Sequence, residues 1–81
     1  MVYSREQFLK DNPDKKIKIE EYWANSGYYC HKAKCTYSGD WGVQELVNYV
    51  DNSTGNYGGR IENERKNEDG SRTATVVVYF D

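Results

Sequence analysis

The stretch RTATVVVYF, from Arg72 to Phe80, alternates more regularly than any other part of the chain. As a β-strand it would present two sets of side chains, one on each side: Ala74, Val76, Val78 and Phe80, and Thr75, Val77 and Tyr79. Because both sets are largely apolar, we predict that this strand lies in the interior of a sheet. The preceding Asp69-Gly70 is a strong hairpin signal. It predicts pairing with a weaker strand over Arg60–Lys66, in which Ile61 is the only strongly apolar residue.

A second hairpin is predicted upstream. Lys16–Trp23 and Tyr28–Tyr37 both alternate, and the turn residues Asn25-Ser26-Gly27 separate them. The alternation places four small or apolar residues on the core side, namely Ile17, Ile19, Ala33 and Cys35, and Trp23 falls on the same side as Ile17 and Ile19. The opposite, outward side carries Lys16, Lys18, Glu20, Tyr22, Tyr28, Cys30, Lys32, Lys34 and Thr36.

Two helices complete the pattern. Ser4 and Gln7 have the capping-box spacing, and the helix that they begin should end at Asn12-Pro13. A second helix is predicted over Trp41–Val50 with Asp40 as its N-cap. Its apolar residues recur at helical spacing and form one stripe: Val43, Leu46, Val47 and Val50.

The elements therefore follow the order α-β-β-α-β-β, which indicates an α+β fold. We predict a single domain over residues 1–81, with a four-stranded, mostly antiparallel sheet and one main helix packed on one face. The other face of the sheet would be open or covered by a partner.

Composition narrows the class of protein. Hydrophobic residues make up 37% and charged residues 30% of 81 residues, which is enough for a thin core. The net charge of -2 gives no general attraction to nucleic acid or to anionic membranes. No stretch approaches the roughly 18 apolar residues that span a bilayer, and the N-terminus lacks the apolar segment of a signal peptide. We therefore expect no membrane association and a cytoplasmic protein, in the producing cell or in the cytoplasm of a host.

The stretch GYYCHKAKC, from Gly27 to Cys35, holds both cysteines and the only histidine. On one strand Cys30 and Cys35 face opposite sides, about 16 Å apart, which is beyond disulfide reach. Zinc normally takes four ligands, and only three such residues exist, with Cys30 facing away from the others. His31 and either thiol are also poorly placed for a catalytic pair. We therefore expect no metal, no cofactor and no enzymatic activity.

Tyrosine is the outstanding feature of the composition, with eight in the chain. Tyrosine is enriched at binding surfaces, and Tyr and Arg are frequent binding hot spots. The Gly-rich segment Gly55–Arg60 indicates a helix-to-strand loop, a kind of segment that often carries binding contacts. Our predicted protein-binding residues are Tyr22, Tyr28, Tyr57 and Arg60.

An alternative function follows from the outward side of the first hairpin. Basic residues interleaved with aromatic residues on an open sheet are typical of proteins that bind single-stranded nucleic acid. The residues that would serve this function are Lys16, Lys18, Lys32 and Lys34, with Tyr22 and Tyr28.

In size, in its Asn-, Tyr- and Lys-rich composition and in its mixed α/β pattern, the chain resembles the small single-domain inhibitors encoded by bacteriophages, including anti-CRISPR and anti-restriction proteins. The resemblance includes no motif and transfers no residue. It implies a non-catalytic inhibitor that occludes the surface of a host or defence-system protein. Nucleic acid is the second choice of partner, and self-association is a further option.

Overall fold

A computed structural model describes residues 4–27, 30–51 and 56–79 of the chain. The elements are α1 (Arg5–Asp11), β1 (Lys16–Gly27), β2 (Cys30–Ser38), α2 (Val43–Asp51), β3 (Gly59–Lys66) and β4 (Arg72–Tyr79). The predicted α+β class and the α-β-β-α-β-β order are confirmed. Tyr28, Tyr29 and Phe80, which the sequence assigns to strands, lie outside the described residues.

The four strands form one sheet in the order β1-β2-β4-β3, and all neighbours are antiparallel. β4 pairs with β2 on one side and with β3 on the other, so its predicted interior position is confirmed. β2 and β3 run in the same direction with β4 between them, and α2 makes the connection from one to the other. The arrangement is a split β-α-β unit extended by the β1–β2 hairpin.

The core lies on one side of this sheet. Leu46, Val47 and Val50 of α2 are buried there. The strands supply the opposing residues, which include Ala33, Cys35, Tyr37, Ala74, Val76 and Val78, with Ile17, Ile19 and Ile61 partly buried. Burying aliphatic side chains of this size contributes about 1.5–3 kcal/mol each, so this layer dominates the stability.

α1 packs on the same side, so the prediction of one main helix was incomplete. Its Phe8 ring lies 5.3 Å from the Trp41 ring and 6.3 Å from the Tyr49 ring. Arg5 donates hydrogen bonds to the backbone oxygens of Tyr49 and Val50, at 2.8 and 2.7 Å. The predicted cap of α1 is confirmed, because the backbone N–H of Gln7 donates to Ser4 Oγ. Two helices thus cover one side of the sheet.

α2 begins two residues later than predicted. The first turn is closed by Glu45, whose carboxylate accepts a hydrogen bond from the Gly42 N–H at 2.9 Å, so Asp40 is not the N-cap. Trp41 is not helical. It turns into the core and its indole N–H donates to the Ser38 backbone oxygen. Val43, which the stripe placed in the core, is therefore 43% exposed at the start of the helix.

β1 contains a bulge at Glu20 that the regular alternation could not predict. Ile19 pairs with Cys35 and Glu21 pairs with the adjacent Lys34, so one residue of β1 is left without a partner. The side chains that follow the bulge change side. Tyr22 moves to the helix side and Trp23 moves to the outward side, the reverse of their predicted placement.

No helix in the described ranges combines the length and the apolar character needed to cross a membrane.

Candidate functional site: the open face of the sheet

The side of the sheet opposite the two helices carries no second layer within residues 4–27, 30–51 and 56–79. We call it the open face. The pairing register defines its members as Lys16, Lys18, Glu21, Trp23, Cys30, Lys32, Lys34, Thr36, Arg60, Glu62, Arg65, Thr73, Thr75, Val77 and Tyr79.

Neighbouring strands align these residues in rows. The anchor row, in order from β1 to β3, is Trp23, Lys32, Val77 and Arg60. Val77 is only 1% exposed although no helix covers it, and it lies in register between Lys32 and Arg60. Trp23 is 40% exposed at the edge of the sheet. The row therefore joins a buried apolar centre to an exposed indole ring.

Glu62 forms ion pairs with both cations of the anchor row. Its carboxylate lies 2.6 Å from Arg60 and 3.9 Å from Lys32. The hydrogen bond from Arg60, followed by the nearby charge of Lys32, lowers the pKa of Glu62 below its ordinary value. Arg60 also stacks on the Tyr79 ring at 5.6 Å and hydrogen-bonds to its hydroxyl. These contacts bring the charged ends of Arg60, Glu62 and Lys32 together on the open face.

A second row, the hydroxyl row, consists of Lys18, Thr36, Thr73 and Arg65. The two threonine hydroxyls at its centre are hydrogen-bonded to each other at 3.1 Å, and the Asn67 amide donates to Thr73. Cations stand at both ends of this row. Lys18 lies 3.8 Å from Glu20, and both side chains are substantially exposed.

Three cations of the open face have no ion pair within the described parts of the chain: Lys16, Lys34 and Arg65. Basic residues outnumber acidic ones on this face, since only Glu21 and Glu62, with Glu20 in the bulge, oppose them. The whole chain carries more acidic than basic residues. The open face is therefore positive and the rest of the surface is negative.

The three predicted protein-binding residues that the structure describes do not all lie on the same side of the sheet. Tyr22 is 48% exposed but lies on the helix side, where it stacks on His31 at 5.9 Å. Tyr57 is 72% exposed and its backbone N–H donates to Tyr79 at the end of β4. Arg60 belongs to the open face, and Tyr28 lies outside the described residues.

The four predicted nucleic-acid-binding lysines are brought together on the open face. Lys16 and Lys18 come from β1, and Lys32 and Lys34 from β2. The aromatic residues that accompany them on this face are Trp23 and Tyr79, whereas Tyr22 lies on the helix side. The sequence did not predict Trp23 on this face because the bulge at Glu20 decides the side of the sheet on which Trp23 lies. The acidic pair Glu20-Glu21, which interrupts the alternation of the strand, was the only indication of a bulge in the sequence.

Cys35 and His31 lie outside the open face, and Cys30 belongs to it but is buried. Burial raises the pKa of Cys35 to about 11, so its thiol is a weak nucleophile. Cys30 is buried on the opposite side of β2. His31 pairs in register with Val78 and faces the helix side. In the portions of the chain that are described, no three His, Cys, Asp or Glu side chains cluster as metal ligands would.

A polar groove of about 490 Å³ lies at the opposite end of the sheet from the anchor row. Its lining consists of Gly39, Glu64, Lys66, Gly70 and Arg72. Beside it, the Tyr37 hydroxyl donates to Glu64 at 2.7 Å, and burial together with this bond raises the pKa of Tyr37 to about 12. The groove offers hydrogen bonds and charges but no activated nucleophile. The open face is the more developed candidate site.

Comparison with protein-family models, with curated proteins and with solved structures finds no match for this chain.

Proposed function

We propose that this protein is a small, non-catalytic binding domain that occupies the surface of a partner protein with its open face. The observation that carries the proposal is Trp23, a large aromatic side chain that is 40% exposed on a sheet face without a second layer in the described ranges. Trp, Tyr and Arg dominate binding energy at protein interfaces. The anchor row and its neighbour Tyr79 supply all three types on one face.

Occlusion is the mode of action that fits this arrangement. An open sheet face bearing a central apolar residue, an aromatic anchor and a charged rim has the composition of an interface rather than of a substrate pocket. In line with the resemblance to phage-encoded inhibitors, the proposed partner is a host or defence-system protein. Tyr57 and Arg60, at the same end of the sheet, remain proposed contacts.

The test compares matched variants against a partner captured from nuclease-treated bacterial lysate and then purified. Trp23→Thr removes the indole but keeps a residue that favours strands. We expect it to weaken binding by more than about 1 kcal/mol, the usual cost of losing an anchor. Val43→Ala, a change of a similarly exposed residue on the helix side, should leave the affinity unchanged.

Circular dichroism of each variant establishes that the fold is retained. Equal affinities of the wild-type protein and Trp23→Thr would remove the open face as the binding surface. Loss of all capture after nuclease treatment would contradict protein binding itself.

A second candidate function, single-stranded nucleic-acid binding, is favoured by the gathering of Lys16, Lys18, Lys32 and Lys34 on the open face. Changing all four to Gln should abolish such binding and flatten its dependence on salt. Under protein binding the same variant should mainly slow association. Fluorescence anisotropy with a labelled oligothymidine separates the two outcomes.

A further inference from the structure

We infer that the partner surface accepted by the open face is acidic, an inference that rests on the proposed protein-binding function. The open face divides into two halves. The anchor row supplies apolar contact, and the half nearer the start of β1 supplies cations, at Lys16, Lys18, Lys34 and Arg65.

The two halves differ in how their charges are balanced. In the anchor row Glu62 lies close to both Arg60 and Lys32, which reduces the unmatched charge that a partner would cover. Lys16, Lys34 and Arg65 have no carboxylate within ion-pair distance among the described residues. Carboxylates of a partner would form ion pairs with these three cations and so fix the orientation of the complex.

Two other occupants match this face less well than an acidic protein surface does. A second copy that paired open face to open face would bring two positively charged faces together, and like charges across an interface are unfavourable. Proteins that bind single-stranded nucleic acid combine basic residues with several aromatic side chains on which successive bases stack. On this face Arg60 already covers the Tyr79 ring, which leaves Trp23 as the exposed ring among the described residues.

The test uses short poly-L-glutamate as the probe and follows the backbone and indole N–H signals of the ¹⁵N-labelled protein by NMR. We expect the shifted signals to belong to the open face, with the indole of Trp23 moving and that of the buried Trp41 unchanged. Binding should weaken as salt is added, because exposed charges are screened.

Two double variants with the same net charge show whether a loss of affinity for poly-L-glutamate comes from the open face or from the net charge of the protein. Lys34→Glu with Arg65→Glu should reduce the affinity for poly-L-glutamate by about tenfold, since two charge contacts become repulsive. Lys10→Glu with Lys66→Glu changes the net charge equally at exposed positions away from the open face, and should reduce the affinity much less.

Three results would overturn the inference: signals that do not shift, shifts centred away from the open face, and tighter binding of an oligothymidine with the same number of charges. The first two leave the proposed function untouched, because that function is tested by the effect of Trp23→Thr on the captured partner, whereas the third would favour the nucleic-acid alternative. If Trp23→Thr weakens binding of the captured partner but poly-L-glutamate does not bind, the acidic partner surface is rejected and the proposed function is retained.

Discussion

Gly59, the first residue of β3, lies close to both β4 and α2. A Cβ atom at this position would overlap the backbone oxygen of Val77 and come within 2.9 Å of Val47 Cγ2. Neither neighbour can move easily, since Val77 is in the interior strand and Val47 is fully buried. The Gly-rich segment that the sequence marks as a loop thus contains a residue required for the close approach of helix and sheet.

Gly59→Ala should therefore lower the free energy of unfolding by at least about 3 kcal/mol, the upper range for an overpacked core. Gly70→Ala is the comparison, because Gly70 has a φ of 90° but no atom within 4 Å of the place that a Cβ would occupy. It should cost about 1–2 kcal/mol from backbone conformation alone. Urea denaturation measures both. Because Gly59 does not have a positive φ, a loss no larger than that at Gly70 would mean that the position has room for a side chain.

The N-terminus of α2 is held by a carboxylate with two partners. Glu45 accepts from the Gly42 N–H and lies 2.6 Å from Lys15 Nζ, whose side chain is only 10% exposed. The Lys15 ammonium also lies 5.6 Å from the centres of the Phe8 and Trp41 rings. The hydrogen bond from Lys15, followed by that from Gly42, lowers the pKa of Glu45 below its ordinary value. This pair ties the segment before β1 to the second helix.

The lowered pKa of Glu45 determines the direction in which the free energy of unfolding changes with pH. As the pH falls, the unfolded chain takes up the proton at Glu45 before the folded protein does, so the stabilisation present above the ordinary pKa of 4.5 is lost through the acid range. Glu45→Gln should cost about 1 kcal/mol at neutral pH, since water screens the exposed side of the pair. Urea denaturation across the pH range should show the difference from the wild-type protein vanishing in acid. Glu6→Gln, at an exposed ion pair, is the control.

The helices and strands could be predicted from the sequence because their patterns are periodic. The bulge in β1 and the later start of α2 could not be predicted in this way. The alternation of Arg72–Tyr79 and the spacing of Leu46, Val47 and Val50 both reflect burial, and both predictions are confirmed. The bulge at Glu20 and the start of α2 at Val43 depend on contacts with distant segments. The bulge reversed Tyr22 and Trp23, so the sequence located the open face but named the wrong aromatic residue on it.

At the scale of the whole molecule, the two sides of the sheet differ in how far their side chains are buried. The helix side contains the buried cluster and both helices, and it supplies the apolar burial on which folding depends. Apart from Val77, Thr73 and Cys30, the described side chains of the open face are partly or fully exposed. A surface of this kind can change its residues for binding at little cost in stability. Stability and binding should therefore respond to different sets of substitutions.

Leu46→Ala, on the helix side, should lower the free energy of unfolding by about 2–5 kcal/mol, because Leu46 is 1% exposed and its removal leaves a cavity. Lys34→Ala and Arg65→Ala, on the open face, should stay within about 0.5 kcal/mol of the wild-type protein. Val43→Ala, on the same helix as Leu46 but exposed, should also stay within that range. Urea denaturation of the four variants makes the comparison. A loss at Lys34 or Arg65 comparable to that at Leu46 would mean that these cations hold the sheet together, and they could then no longer be regarded as free to receive a partner.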